Sequence, residues 1–184
     1  MNTWTLPRTA RLGEEEYAFN SDFRDMIEIL SYLADEERPE YLRWQIALGL
    51  FFEKEIPDQS QLDALEYLMQ FISYGEQTGK ASPKLFDWQQ DSQIIVGEVN
   101  KVAGTEIREI PYLHWWTFLS YFYGIGEGQL STIISIRDKL RRGKKLEKWE
   151  QDYYRENKSK VDFEKHYSAE ELAEQERLKR LLGE

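Results

Sequence analysis

The stretch "YLHWWTFLSYFYG", Tyr112–Gly124, holds eight aromatic or histidine residues in thirteen positions. Pro111 stands before it and "GIGEG" follows it, so the spacing predicts one short helix between a start signal and a stop. At 3.6 residues per turn, Tyr112, Trp115, Leu119 and Phe122 share one face. His114, Phe118, Tyr121 and Ile125 share another, and Trp116 and Tyr123 lie beside the first set. A surface helix keeps a wide polar stripe; here only Thr117 and Ser120 are small and polar. The helix is therefore either central and surrounded by core, or half core and half docking surface. The second alternative has a physical basis, because Trp and Tyr combine large area with a polar tip and concentrate energy at interfaces. His114 reads as a core histidine donating to a backbone carbonyl rather than as a catalytic group.

Outward from this segment, helix signals dominate. Before it, "TWTL" and "EYAF" alternate polar and apolar residues around Gly13, which predicts a hairpin over residues 3–20. A two-stranded hairpin is marginal alone and must lie on helices. Asn20 or Ser21 caps a helix with Phe23, Met26, Ile27, Leu30 and Leu33 on one face. Pro39 opens a second, with Tyr41, Trp44, Leu48 and Phe51 in step. Ser60 and Asp63 have capping-box spacing ahead of Leu62, Leu65, Met69 and Ile72, and Gly75 supplies the stop. Residues 75–84, "GEQTGKASPK", read as a loop. A fourth helix is expected from about Asp87 to Ala103, burying Trp88, Ile95, Val99 and Val102 and ending at Gly104. Ser131 is the expected cap of a segment carrying Ile133, Ile136 and Leu140. A last capping-box signal, Ser168 with Glu171, precedes a weak stripe of Leu172, Leu178 and Leu181. The fold class expected is mainly α: a compact bundle of about six short helices with a small N-terminal β-hairpin. Residues 1–20 form the hairpin, 21–157 the helical core, and 158–184 a charged extension, helical or disordered.

With 184 residues and 41% hydrophobic content, the chain can bury a real core. A net charge of −10 argues against a general nucleic-acid coat and against anionic membrane surfaces. There is no cysteine, which removes disulfides and thiolate metal sites, and two histidines, His114 and His166, make a histidine metal site improbable. The N-terminal stretch lacks the apolar run of a signal peptide. No apolar run approaches the roughly 18 residues of a membrane span.

Chemistry-bearing patterns are sparse. "GIGEG" follows a helix rather than a strand and lacks the spacing of a phosphate-cradling loop, so it reads as a helix–helix turn. Carboxylates are many but unpaired in any informative way, and no nucleophile-elbow motif occurs. No catalytic residue, cofactor or metal ligand is assigned, and no enzymatic activity is expected. Arg137–Trp149, "RDKLRRGKKLEKW", is the one basic run, with seven cations against Asp138 and Glu147. It reads as a nucleic-acid contact, as a helix end with solvated charge, or as an arm that meets an acidic partner or the acidic body of another copy.

These residues also carry a resemblance. "YLHWWTF" (Tyr112–Phe118), then Ile136-Arg137, Gly143-Lys144-Lys145-Leu146, and Trp149 with Tyr154-Arg155-Glu156-Asn157 resemble the bacteriophage "gene product fifteen" family of tailed phages and prophages of Gram-positive bacteria. The likeness covers roughly residues 1–163. It implies a helical, non-enzymatic tail morphogenesis protein, similar to tail assembly chaperones. It implies as partners the tape measure protein, the tail tube protein, or a companion chaperone encoded upstream. It implies a place in the host bacterial cytoplasm and absence from the mature virion. A structural tail or connector protein is the alternative, and a nucleic-acid-binding regulator using residues 137–148 is a second. Tyr112, Trp115, Trp116 and Tyr123 are the expected apolar anchor for a partner, and Arg141, Arg142, Lys144 and Lys145 its electrostatic rim.

Overall fold

The chain opens in a hairpin because its apolar residues alternate around a glycine. A computed structural model describes residues 4–74 and 83–164. Strands β1 (Thr9–Leu12) and β2 (Glu15–Ala18) pair antiparallel, with Ala10 opposite Tyr17 and Leu12 opposite Glu15. Gly13 takes the first central turn position at φ 63°, a conformation that glycine adopts without a Cβ clash. The first strand is thus "TARL" rather than "TWTL". Ala10, Leu12, Tyr17 and Phe19 are buried against the helices, while Arg11 and Glu16 face outward. The hairpin needs that support, as isolated ribbons do.

Eight α-helices follow among the described residues: α1 (Phe23–Ala34), α2 (Glu40–Phe51), α3 (Gln61–Ile72), α4 (Ser92–Ala103), α5 (Trp115–Tyr123), α6 (Gln129–Arg141), α7 (Lys148–Glu156) and α8 (Lys158–Val161). The mainly helical bundle with its hairpin is as expected; α7 and α8 are additional to the six segments. The boundary expected at residues 157/158 falls inside packed structure, since Val161 of α8 is buried. Most of the loop 75–84 and the Ser168–Glu171 signal lie outside the described residues.

Helix starts differ from the sequence reading in instructive ways. Asp22, not Asn20 or Ser21, caps α1. Its Oδ1 accepts the Arg24 N–H at 3.0 Å and its Oδ2 accepts the Leu113 N–H at 2.9 Å. One carboxylate therefore caps a helix and ties it to the approach of α5. Residues 87–91 form a turn ahead of α4, because the Asp87 carboxylate accepts from Gln89 and Gln90 N–H. Gly104 ends α4 as expected, in the left-handed conformation. At α6 the Glu98 carboxylate of α4 accepts the Gln129 N–H at 2.8 Å, a cap supplied by another helix. Gly128 is what lets it approach, since a Cβ there would overlap both Glu98 oxygens.

Helix α3 buries Ala64, Leu68 and Phe71 and leaves Leu62 79% and Met69 40% exposed. The sequence reading chose the other stripe. Both stripes are apolar, and the one that faces inward carries Phe71, which stacks on Trp116 and meets Phe19 and Phe51. Tyr41, Val102 and Leu140, also expected inside, are exposed.

The buried side chains form two clusters. The larger gathers the hairpin, α1–α5 and Leu130; the smaller holds Ile133, Ile136, Leu146 and Val161, with Tyr153 and Tyr154 packed on it.

Candidate partner-binding surface

Helix α5 resolves the choice posed by its rings. Trp115 and Trp116 are each 1% exposed, so neither is a surface anchor in this fold. Their indoles also reach the end of α3, where the Met69 carbonyl accepts the Ser73 N–H and the Phe71 carbonyl the Tyr74 N–H. The Trp116 indole N–H donates to the Phe71 carbonyl at 2.9 Å, and the Trp115 indole N–H donates to the Ile72 carbonyl at 3.1 Å. Ser73 Oγ donates to the Gln70 carbonyl. Two adjacent tryptophans thus cap the end of another helix while filling the core. Trp115 also stacks on Phe118, which stacks on Phe23.

His114 begins the helix. Its Nδ1 accepts the Trp116 N–H at 3.1 Å, and its Nε2 donates to the Pro7 carbonyl at 2.9 Å. The expected donation to a backbone carbonyl is present; the helix cap is additional, and it moves the start of α5 from Pro111 to His114. Burial holds this imidazole below its ordinary value, opposed by the Pro7 carbonyl and assisted by the Arg8 charge.

The two tyrosines do reach the surface. Tyr112 is 40% exposed, with Arg8 over its ring and its hydroxyl 2.7 Å from Ser21 Oγ. Tyr123 is 66% exposed at the other end of α5, beside Tyr74 and Phe122.

The basic run is not a row of solvated cations. Arg137 is buried in a bidentate pair with Asp91, at 2.6 and 3.0 Å. Its remaining N–H groups donate to the carbonyls of Leu85, Lys160 and Val161, and Phe163 lies 4.1 Å from its guanidinium carbon. Lys139 bonds Glu150 at 2.7 Å, and Arg141 and Arg142 share Asp138. Lys144, Lys145 and Lys148 are exposed and have no ion pair among the described residues. Arg137 is closed to phosphate, which weakens the nucleic-acid reading of residues 137–148.

Of the expected anchor, Tyr112 and Tyr123 are exposed, and Arg141, Arg142, Lys144 and Lys145 of the expected rim are exposed at and just beyond the end of α6. Tyr123 precedes the start of α6, whereas Arg141 and Arg142 stand at its far end, about 18 Å along the axis. The apolar side chains beside the cations are Leu140, 39% exposed, and Trp149, 58% exposed. Trp149 was legible only as a tryptophan set among Lys148, Glu150 and Gln151, where a core residue has no reason to stand. The Lys139–Glu150 pair holds α7 against the end of α6 and so brings Trp149 to this edge.

No group of three or more His, Cys, Asp or Glu side chains placed to hold a metal occurs among the described residues. Buried carboxylates are all answered by donors: Asp91 by Arg137, Glu98 by the start of α6, and Glu150 by Lys139 and the Glu147 N–H. No helix among the described residues is long and apolar enough to cross a membrane.

Hairpin and helical bundle together define a small, mainly helical protein. The chain belongs to the Bacteriophage Gp15 protein family, whose model matches residues 4–163. Searches of curated proteins and of solved structures found no match.

Proposed function

We propose that this phage protein is a tail morphogenesis factor. It acts as a non-enzymatic assembly chaperone that binds the tape measure protein, the tail tube protein, or both, before and during tube polymerisation. The observation that carries the reading is the α6–α7 edge, where Leu140 and Trp149 stand exposed beside Lys144, Lys145 and Lys148. A tape measure protein is a long helical chain with apolar seams, which aggregate when left uncovered. A chaperone covers such seams by contacts weak enough to yield to tube subunits. A tryptophan with an adjoining leucine offers adaptable area, and the lysines give salt-sensitive steering toward acidic flanks. Tyr112 and Tyr123 supply further contact area in this reading; Trp115 and Trp116 support it only as core. The protein works in the host bacterial cytoplasm and leaves before the virion is complete.

The test is co-expression with the tape measure protein of the same phage. The expected result is a soluble tape measure protein that co-purifies, with recovery lost in Leu140→Ser/Trp149→Ala and kept in Leu62→Ser. A tape measure protein that stays insoluble in both arms overturns the reading. Stoichiometric recovery of this chain from purified virions would instead favour a structural tail or connector protein.

A further inference from the structure

Two surfaces of this molecule are opposite in charge. On the first, Leu62, Glu66 and Met69 share one face of α3, with Leu62 and Met69 exposed. Residues 53–66 carry Glu53, Glu55, Asp58, Asp63 and Glu66 against Lys54 alone, a net −4. All five carboxylates are exposed, and none has an ion pair among the described residues. On the second, residues 138–150 carry Lys139, Arg141, Arg142, Lys144, Lys145 and Lys148 against Asp138, Glu147 and Glu150, a net +3. Lys139 pairs with Glu150, Arg141 and Arg142 share Asp138, and Lys144, Lys145 and Lys148 have no ion pair among the described residues. Leu140 and Trp149 are its exposed large apolar side chains. Beside Leu140 a shallow groove of about 380 Å³ opens, walled by Val161 and Phe163 and edged by Lys84 and Arg141. The two surfaces belong to different buried clusters, the first to that of α1–α5 and the second to that of α6–α8.

We propose that copies of this chain associate head to tail, the acidic apolar face of α3 on one copy seating on the basic α6–α7 edge of the next. Each surface carries exposed apolar side chains and an excess of charge of one sign, so like surfaces repel and unlike surfaces attract. That excludes a two-fold contact built on either surface alone. The contact joins unlike surfaces, so it extends as a chain or ring, or closes as a reciprocal pair in which each copy gives its α3 face to the other's α6–α7 edge. The exposed apolar side chains supply burial, and the charges fix register.

Sedimentation of the full chain tests this. The expected result is a mass at least twice that of one chain in about 0.1 M salt, falling to one chain near 1 M, where the screening length shrinks to about 3 Å. Lys144→Glu/Lys145→Glu/Lys148→Glu sediments as one chain, and so does Glu53→Lys/Glu55→Lys/Glu66→Lys. Mixed in equal amounts they associate again, because each now carries the partner surface the other lacks. Thermal unfolding of each variant, expected to match the parent, shows that the loss is not misfolding. A parent chain that stays single at 0.1 M salt overturns the proposal, as does association in either variant alone or a mixture that stays single. Zero-length cross-links within a single chain, joining Lys144 or Lys145 to carboxylates of residues 168–176, would overturn it in favour of the chain's own C-terminal segment as the occupant. The inference uses the same α6–α7 edge as the tail-assembly reading, and the two fail separately. A single chain that still solubilises the tape measure protein removes only the association, and an associating chain that captures no tail protein removes only the assembly role.

Discussion

Arg137 joins five acceptors at once: both oxygens of Asp91 and the carbonyls of Leu85, Lys160 and Val161. Removing one partner of a buried ion pair costs about 3–5 kcal/mol, because the other charge is left without an answer. Arg137→Leu is expected to lose that much in urea unfolding. For a simple buried pair, replacing both residues by apolar ones restores stability. Here Asp91→Leu/Arg137→Leu stays about 2 kcal/mol or more below the parent, since three carbonyls still lack donors. Full recovery in the double variant would show that the carbonyl contacts contribute nothing. At His114 the prediction concerns pH. Its folded value is depressed, so the neutral ring belongs to the folded state and the unfolded chain binds the proton more readily. The site's contribution is complete above the ordinary value of about 6.5 and is lost as pH falls from there toward the depressed folded value. The melting temperature of the parent therefore drops between pH 7 and 5 by more than that of His114→Asn, whose amide oxygen still accepts at the helix start. Equal slopes would remove His114 from the account. The sequence identified this residue as a core histidine; that it caps α5 depended on where the helix begins.

Between elements, helix ends are closed by side chains of other helices. Glu98 of α4 caps α6, and the tryptophans of α5 cap α3. Gly128→Ala pushes a Cβ into the Glu98 carboxylate and should cost about 1–2 kcal/mol, comparable to losing a helix cap. Glu98→Ala acts through the same contact, so the double variant should cost clearly less than the sum of the two. Additive losses would mean that Gly128 is needed for another reason. A second comparison separates the two faces of α3 from the core of α5. Trp116→Ala is expected to lose about 3–5 kcal/mol, as large-to-small core changes do. Leu62→Glu, on a stripe that periodicity alone assigns to the core, should stay within about 0.5 kcal/mol. A Leu62→Glu chain as unstable as Trp116→Ala would put the wrong face of α3 outside. Periodicity locates an amphipathic face only when one face is apolar, and α3 has two.

For the whole molecule, the two buried clusters set an order of stability. The smaller cluster rests on Ile133, Ile136, Leu146 and Val161, whereas the larger draws on the hairpin and five helices. Amides of α7 should exchange with solvent at a lower opening free energy than those of α5, because fewer buried apolar groups hold them. Equal protection would mean that Arg137 and the Lys139–Glu150 pair couple the clusters into one cooperative unit. The same division separates the acidic α3 surface from the basic α6–α7 edge, on which both the assembly role and the head-to-tail contact are built. Local spacing and runs of adjacent residues were enough for the class of fold, the hairpin with Gly13 at its turn, six of the eight described helices with stops such as Gly104, and the family. Tertiary structure alone decided which tryptophans are surface and which are core. Trp115 and Trp116 go inside because their rings stack on Phe118 and Phe71 while their indole N–H groups reach the carbonyls of Ile72 and Phe71, and Trp149 stays outside on α7, which a lysine–glutamate pair holds to α6. The contacts with α3 and α6 lie outside these helices, so no count of apolar residues along α5 or α7 contains them.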